Sequence, residues 1–109
     1  MVRFKHYRSQ CLYGIRYEFE RAGDVVPAHA HDISSAHNIV CMSGAVHLVF
    51  DDGENLRVLA GEILDFNWSR RHSIVAASPA LILNLFLHGI PPGYDQLADA
   101  ELEGVLEPT

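Results

Sequence analysis

Short apolar segments, each closed by a turn signal, recur along almost the whole chain, and this rhythm limits the folds open to it. "CLYGIRYEFE" (11–20) alternates: Tyr13, Ile15, Tyr17 and Phe19 face one way, Arg16, Glu18 and Glu20 the other. "AGD" at 22–24 is a turn. "HNIVCM" followed by "SG", and "AVHLVF" followed by "DDGEN", read as strands leaving tight turns, the second as a hairpin arm. "LRVLAG", "EILDFN", "HSIVAAS" and "ALILNLFLHG" continue the pattern. With the segment around residue 29, this makes eight or so short strands, the signature of an all-β sandwich or barrel. A helical period competes only in "YDQLADAELEGVL" (94–106), where Asp95 is placed to cap a short C-terminal helix. "IPPG" at 90–93 marks the end of the β region. The reading is one domain over 1–109, with residues 90–109 as its tail.

Bulk properties narrow the class. The chain has 109 residues, 49% of them hydrophobic and 20% charged, enough to bury a core without staples. Its formal charge is −6, which argues against nucleic acid or an anionic membrane as partner. No run of apolar residues is long enough to span a bilayer. Cys11 and Cys41 are too few for a disulfide scaffold, and "MVRFKHYRSQCLYG" lacks the apolar run of a signal peptide; the expected location is cytoplasmic.

The compositional oddity is seven histidines, three of them in "PAHAHDISSAH" (27–37). On a strand, His29 and His31 point the same way, roughly 7 Å apart. Two imidazoles aimed at one point suit a divalent transition metal. The plain alternative is that these are unrelated surface rings. Context favours the metal: Gly23 lies six residues before His29, and six residues separate His37 from Gly44. Gly61 then opens "GEILDFNWSRRH", ending at His72. The arrangement resembles the paired motifs of the cupin superfamily, G-x5-HxH-x3/4-E-x6-G and G-x5-P-x-G-x2-H-x3-N. The resemblance covers about residues 12–88. It departs at His37, which stands at the family's Glu position after a longer loop. It departs again at Asn67, Ser69 and Ala76, which replace a Pro, a Gly and an Asn.

The resemblance implies a double-stranded β-helix (jelly-roll) barrel with one divalent metal near its mouth, held by His29, His31, His37 and His72. Four neutral nitrogens suit Zn, Fe, Ni, Mn or Cu without choosing among them. They add no negative charge, so the site favours anionic ligands and Lewis-acid chemistry. Similar small barrels include dioxygenases, sugar isomerases and polyketide cyclases. The expected function is a metal-dependent enzyme acting on an enolisable, oxygen-rich small molecule, with no catalytic acid or base identifiable. A non-catalytic ligand- or metal-binding module is the alternative, and a storage barrel a further one. A homodimer formed at sheet edges is expected. Elsewhere, His6, His47 and His88 have no spacing partners and read as non-ligands. Cys41 and Tyr17 read first as core packing. Trp68 is a candidate pocket roof or subunit contact, and Asn84 a candidate pocket donor or a solvent-facing amide.

Overall fold

Period-two patterning is realised in ten strands of a computed structural model, which describes residues 1–8, 13–29, 37–65, 71–86 and 103–106. They are β1 (Val2–Arg8), β2 (Tyr13–Phe19), β3 (Val25–His29), β4 (His37–Ser43), β5 (Ala45–Phe50), β6 (Asn55–Leu59), β7 (Ile63–Asp65), β8 (His72–Ala76), β9 (Ala80–Phe86) and β10 (Glu103–Leu106). The six-stranded sheet runs β10-β1-β2-β9-β4-β7 and the four-stranded sheet β3-β8-β5-β6. This is the two-sheet antiparallel jelly roll. Its pairing is nested. β5 pairs β6, β4 pairs β7, β3 pairs β8, β2 pairs β9 and β1 pairs β10, all antiparallel around the 51–54 turn.

Alternate positions of the two sheets face each other and form the core. Ile15, Phe19, Ile39, Cys41 and Ile82 come from one sheet; Val46, Leu48, Val58, Ile74 and Ala76 come from the other, all buried. Each such aliphatic or aromatic side chain contributes about 1.5–3 kcal/mol by leaving water.

Two strands, β1 and β10, lie outside the segments that the sequence pattern marks. β1 alternates Val2, Phe4 and His6 with Arg3, Lys5 and Tyr7. β10 corrects the end of the expected helix: residues 103–106 are extended and pair with β1, Val2 opposite Leu106 and Phe4 opposite Gly104. Gly104 and the β-branched Val105 are poor helix formers, and an open β1 edge offers a ladder of hydrogen bonds. A Cβ at Gly104 would come within 3.0 Å of the Phe4 ring, so glycine lets the strand lie close. The rest of that expected helix, together with Asp95, lies outside the described residues.

One end of the barrel is stitched by tight turns. Gly23, Gly44 and Gly61, the three motif glycines, all have positive φ there, at 91°, 71° and 87°. Backbone bonds tie turn to strand, with Gly23 N donating to Ala76 O at 2.8 Å, Gly61 N to Cys41 O at 2.8 Å and Ala77 N to Ala45 O at 2.9 Å. Asp24 anchors the same end. Its Oδ1 lies 2.6 Å from the Met1 ammonium, and its Oδ2 accepts from the N–H groups of Glu20 and Arg21 at 3.0 Å each. The ammonium bond, then the backbone donors, hold the Asp24 carboxyl below the usual carboxylate range. A depressed folded pKa stabilises above the unfolded value, about 3.9, and is lost as pH falls through the lower folded value. Asp24→Asn should therefore lower the urea midpoint at pH 7, and the gap to wild type should shrink below about pH 4. An equal gap at both pH values would remove Asp24 from the acid limb.

Candidate metal centre

The other end of the barrel carries His29, His37 and His72, three of the four candidate ligands. In the six-stranded sheet one register row runs Arg8–Tyr13–Phe86–His37. In the four-stranded sheet the corresponding row runs His29–His72–Phe50. Residues 30–36 join His29 to His37, so chain continuity sets the two rows at the same end.

A bulge sets one of these registers. Val26 pairs with Ile74, but His29 pairs with His72, so β3 carries one extra residue across Pro27–Ala28. Proline donates no hydrogen bond and is tolerated at a bulge. Without the extra residue, position 29 would fall out of step with His72; bulges next to functional sites commonly re-aim a position in this way.

His72 is fully buried, on the alternate positions of β8 that also carry Ile74 and Ala76, both in the core. Its ring centroid lies 6.1 Å from that of Phe50, tilted by 51°. His37 opens β4, two and four residues before the buried Ile39 and Cys41. The rings of His29 and His37, and the whole of His31, lie outside the described residues. Register thus brings His29 beside His72 and puts His37 at the same end. Among the described residues no group of three or more metal-ligating side chains is assembled.

Asn84 resolves toward the interior. It is 2% exposed, sits on β9 opposite both Ile15 and Ile39, and its Oδ1 is buried with no hydrogen-bond partner among the described residues. A buried acceptor left unmade costs about 1–3 kcal/mol. Asn84 is two residues from Phe86, hence roughly 7 Å below the rim row.

Cys41 belongs to the core and not to the metal end. Four residues of strand separate it from position 37, roughly 13 Å. Its Sγ lies 3.4 Å from Ser43 O and 3.5 Å from Gly44 O. Burial pushes its thiol up, and the Glu62 charge adds to this. Tyr17 packs partly buried against the core. His6 makes an edge contact with Phe4, ring centroids 5.6 Å apart. His47 Nδ1 shares a 2.9 Å hydrogen bond with Asn55 Oδ1 on the outer face of the four-stranded sheet. Trp68 and His88 lie outside the described residues. Phe50 is the wall residue that sequence reasoning missed; only the β5–β8 register, which the sequence does not print, reveals it.

The described residues fit a metal in chemistry. His72 brings a buried imidazole to an apolar wall, His29 is its partner in register, and Asn84 Oδ1, without a hydrogen-bond partner among the described residues, is on the facing sheet. Where bound, the ion would take His72 as a ligand, with its register partner His29 as a candidate second one.

No protein-family model matches the chain, and no curated protein matches it. Solved structures do. The chain is similar to an RmlC-like cupin from Desulfovibrio desulfuricans, with TM-score 0.68 and 24% identity over 77% of this chain and 79% of that one. KdgF from a Halomonas species gives TM-score 0.68 and 24% identity over 88% and 85%. A cupin superfamily protein from Desulfitobacterium hafniense gives 0.66 and 15% over 81% and 78%. At these identities the likeness establishes the fold.

Proposed function

From a chain with the cupin fold, we propose a metal-dependent enzyme for an enolisable, oxygen-rich small molecule, of dioxygenase, isomerase or cyclase type. The observation that carries this reading is the fully buried His72, in direct register with His29 at the end of the barrel opposite the tight turns. The proposed ligands are His29, His31, His37 and His72, and the proposed ion is one of Zn, Fe, Ni, Mn or Cu. When bound, the ion supplies Lewis acidity toward a carbonyl or enolate oxygen. The chain's own contribution is placement and exclusion of water. Phe50, Ile74 and Ile39 make the surroundings apolar, which strengthens electrostatic interactions within. Asn84 Oδ1 is an acceptor for a substrate hydroxyl, which would satisfy its buried oxygen. A non-catalytic binding module uses the same site without turnover.

Elemental analysis of protein purified without chelator should find about one divalent metal per chain, as a single four-ligand site requires. The metal-loaded protein, incubated in deuterium oxide with a 1,3-dicarbonyl probe, should speed exchange at the central carbon above the free-metal rate. Metal and probe binding with no added exchange would favour the binding module. No metal would refute the enzyme and the metal-binding module, leaving only a metal-free ligand-binding one. His37→Ala should weaken metal binding about as much as loss of any other ligand. Unchanged affinity would leave a three-histidine site in its place.

A further inference from the structure

Of all the aspartates and asparagines in the chain, only Asp52 is followed by glycine. The pair lies in the turn between β5 and β6, at the tip of the nested pairing, and both residues are exposed. Gly53 has φ 92°, and a Cβ built on it would meet nothing within 4 Å. Its peptide nitrogen thus has no side chain of its own to shield it. At every other aspartyl or asparaginyl peptide the following residue carries a side chain that crowds the nitrogen.

One hydrogen bond prepares the pair and another restrains it. Asp52 Oδ1 accepts from Glu54 N at 3.0 Å. The ring closed by this bond runs through the Asp52–Gly53 peptide, so the carboxyl is folded back toward that peptide. Gly53 N donates to Phe50 O at 2.9 Å, and Phe50 N donates to Glu54 O at 2.9 Å. The first of these two bonds engages the Gly53 nitrogen, so any reaction there waits on local opening. A solvated loop tip is where such opening costs least. The charged neighbours are Glu54 and Asp51, the latter 3.5 Å from Arg71 Nε, and none of them supplies an atom to the step below.

We propose that Asp52–Gly53 is a site of spontaneous covalent modification, at which the folded chain converts aspartate to isoaspartate. Gly53 N attacks Asp52 Cγ. The N–Cγ bond forms, the Cγ–OH bond of the protonated carboxyl breaks, and that hydroxyl leaves with the amide proton as water. The product is a five-membered succinimide, to which water then adds. Opening at Cγ restores aspartate. Opening at the former main-chain carbonyl routes the backbone through Cβ and Cγ. No oxidant, metal or second substrate enters, and the mass is unchanged. The isoaspartyl backbone is longer by one methylene, so the two bonds that close the turn cannot both keep their geometry, and the hairpin loses stability. Phe50, which makes both bonds, is the register partner of His72. The chemistry is independent of the metal and of the proposed activity.

Ageing the full chain at neutral pH and physiological temperature, beside a synthetic peptide of residues 49–56, tests this. Transfer of a labelled methyl group from S-adenosylmethionine by a protein isoaspartyl methyltransferase counts the product, and electron-transfer fragmentation locates it. Gel filtration before labelling separates folded from unfolded chains. Label should accumulate at position 52 of the folded chain, more slowly than in the peptide, because the Gly53–Phe50 bond must first open. Asp52→Glu should abolish it, since closure through glutamate needs a six-membered ring. Asp52→Asn should accelerate it, with ammonia leaving in place of water. The isoaspartyl form, separated by chromatography, should melt below its parent. A folded chain that stays unlabelled while the peptide converts overturns the proposal. So does label that survives in Asp52→Glu, or that is confined to the unfolded fraction. An isoaspartyl form that melts with its parent overturns the stated consequence for the hairpin.

Discussion

Replacing His72 with phenylalanine should lower metal affinity by at least about a hundredfold, because even outer-shell changes commonly cost 10–100-fold. Phenylalanine keeps a flat ring against Phe50 and fills the space that the fully buried imidazole occupies. The metal-free barrel should therefore stay folded, with its urea midpoint lowered by no more than a modest repacking cost of about 1–3 kcal/mol. His72→Ala should lose the metal as well, but it adds a cavity penalty of about 2–5 kcal/mol. Comparing the two separates ligation from packing. Competition against a coloured chelator measures the first, and denaturant titration of chelator-treated protein the second. Affinity within threefold of wild type in both variants would exclude His72 as a ligand.

Gly44→Ala should destabilise the fold by about 3–5 kcal/mol, by adding left-handed backbone strain to steric overlap. Its φ is 71°. A Cβ there would overlap the Pro79 carbonyl oxygen and stand 2.8 Å from Ser78 Oγ and 2.9 Å from Ala80 Cα. The obstacle is mostly backbone and cannot rotate away. Gly44 is the single residue joining β4 to β5, and it presses on the short connection from β8 to β9, so two crossings between the sheets meet there. Ser78 Oγ accepts from Ala45 N at 3.1 Å at the same point. Gly53→Ala is the matched control: its φ is 92°, with nothing within 4 Å of the added carbon. It should cost only the left-handed backbone penalty, about 1–2 kcal/mol. Equal losses in the two variants, measured by urea unfolding, would show that the contact at Gly44 relaxes at no cost.

Much of this was legible in the residues. Alternation located β2, and apolar segments closed by turn signals located β4 to β9. The turn glycines at 23, 44 and 61 carried the closed end. β10 was hidden because "ELEGVL" has a helical apolar spacing and its strand character depends on a partner a hundred residues away. The same distance effect hid the bulge at Pro27–Ala28. Spacing alone suggested that His29 belongs with a later histidine, but only the β3–β8 ladder sets it opposite His72. Asn84 stood open between interior and solvent because a polar residue in an apolar run is compatible with either face. Its neighbours in register, Ile15 and Ile39, decided for the interior.

The nested pairing behaves like a zip fastener whose teeth are residues and whose closed tip is the 51–54 turn. Slipping one tooth anywhere along it would offset every pair farther from the tip by one, and a one-residue offset turns core side chains to the outside. Length can therefore change only where no teeth engage, in a turn, or where a bulge absorbs the extra residue, as β3 does after Val26 and β4 does at Met42. The longer stretch between His31 and His37 lies in sequence between β3 and β4. A barrel of this kind can thus acquire a new ligand spacing at its rim while every inner tooth keeps its mate.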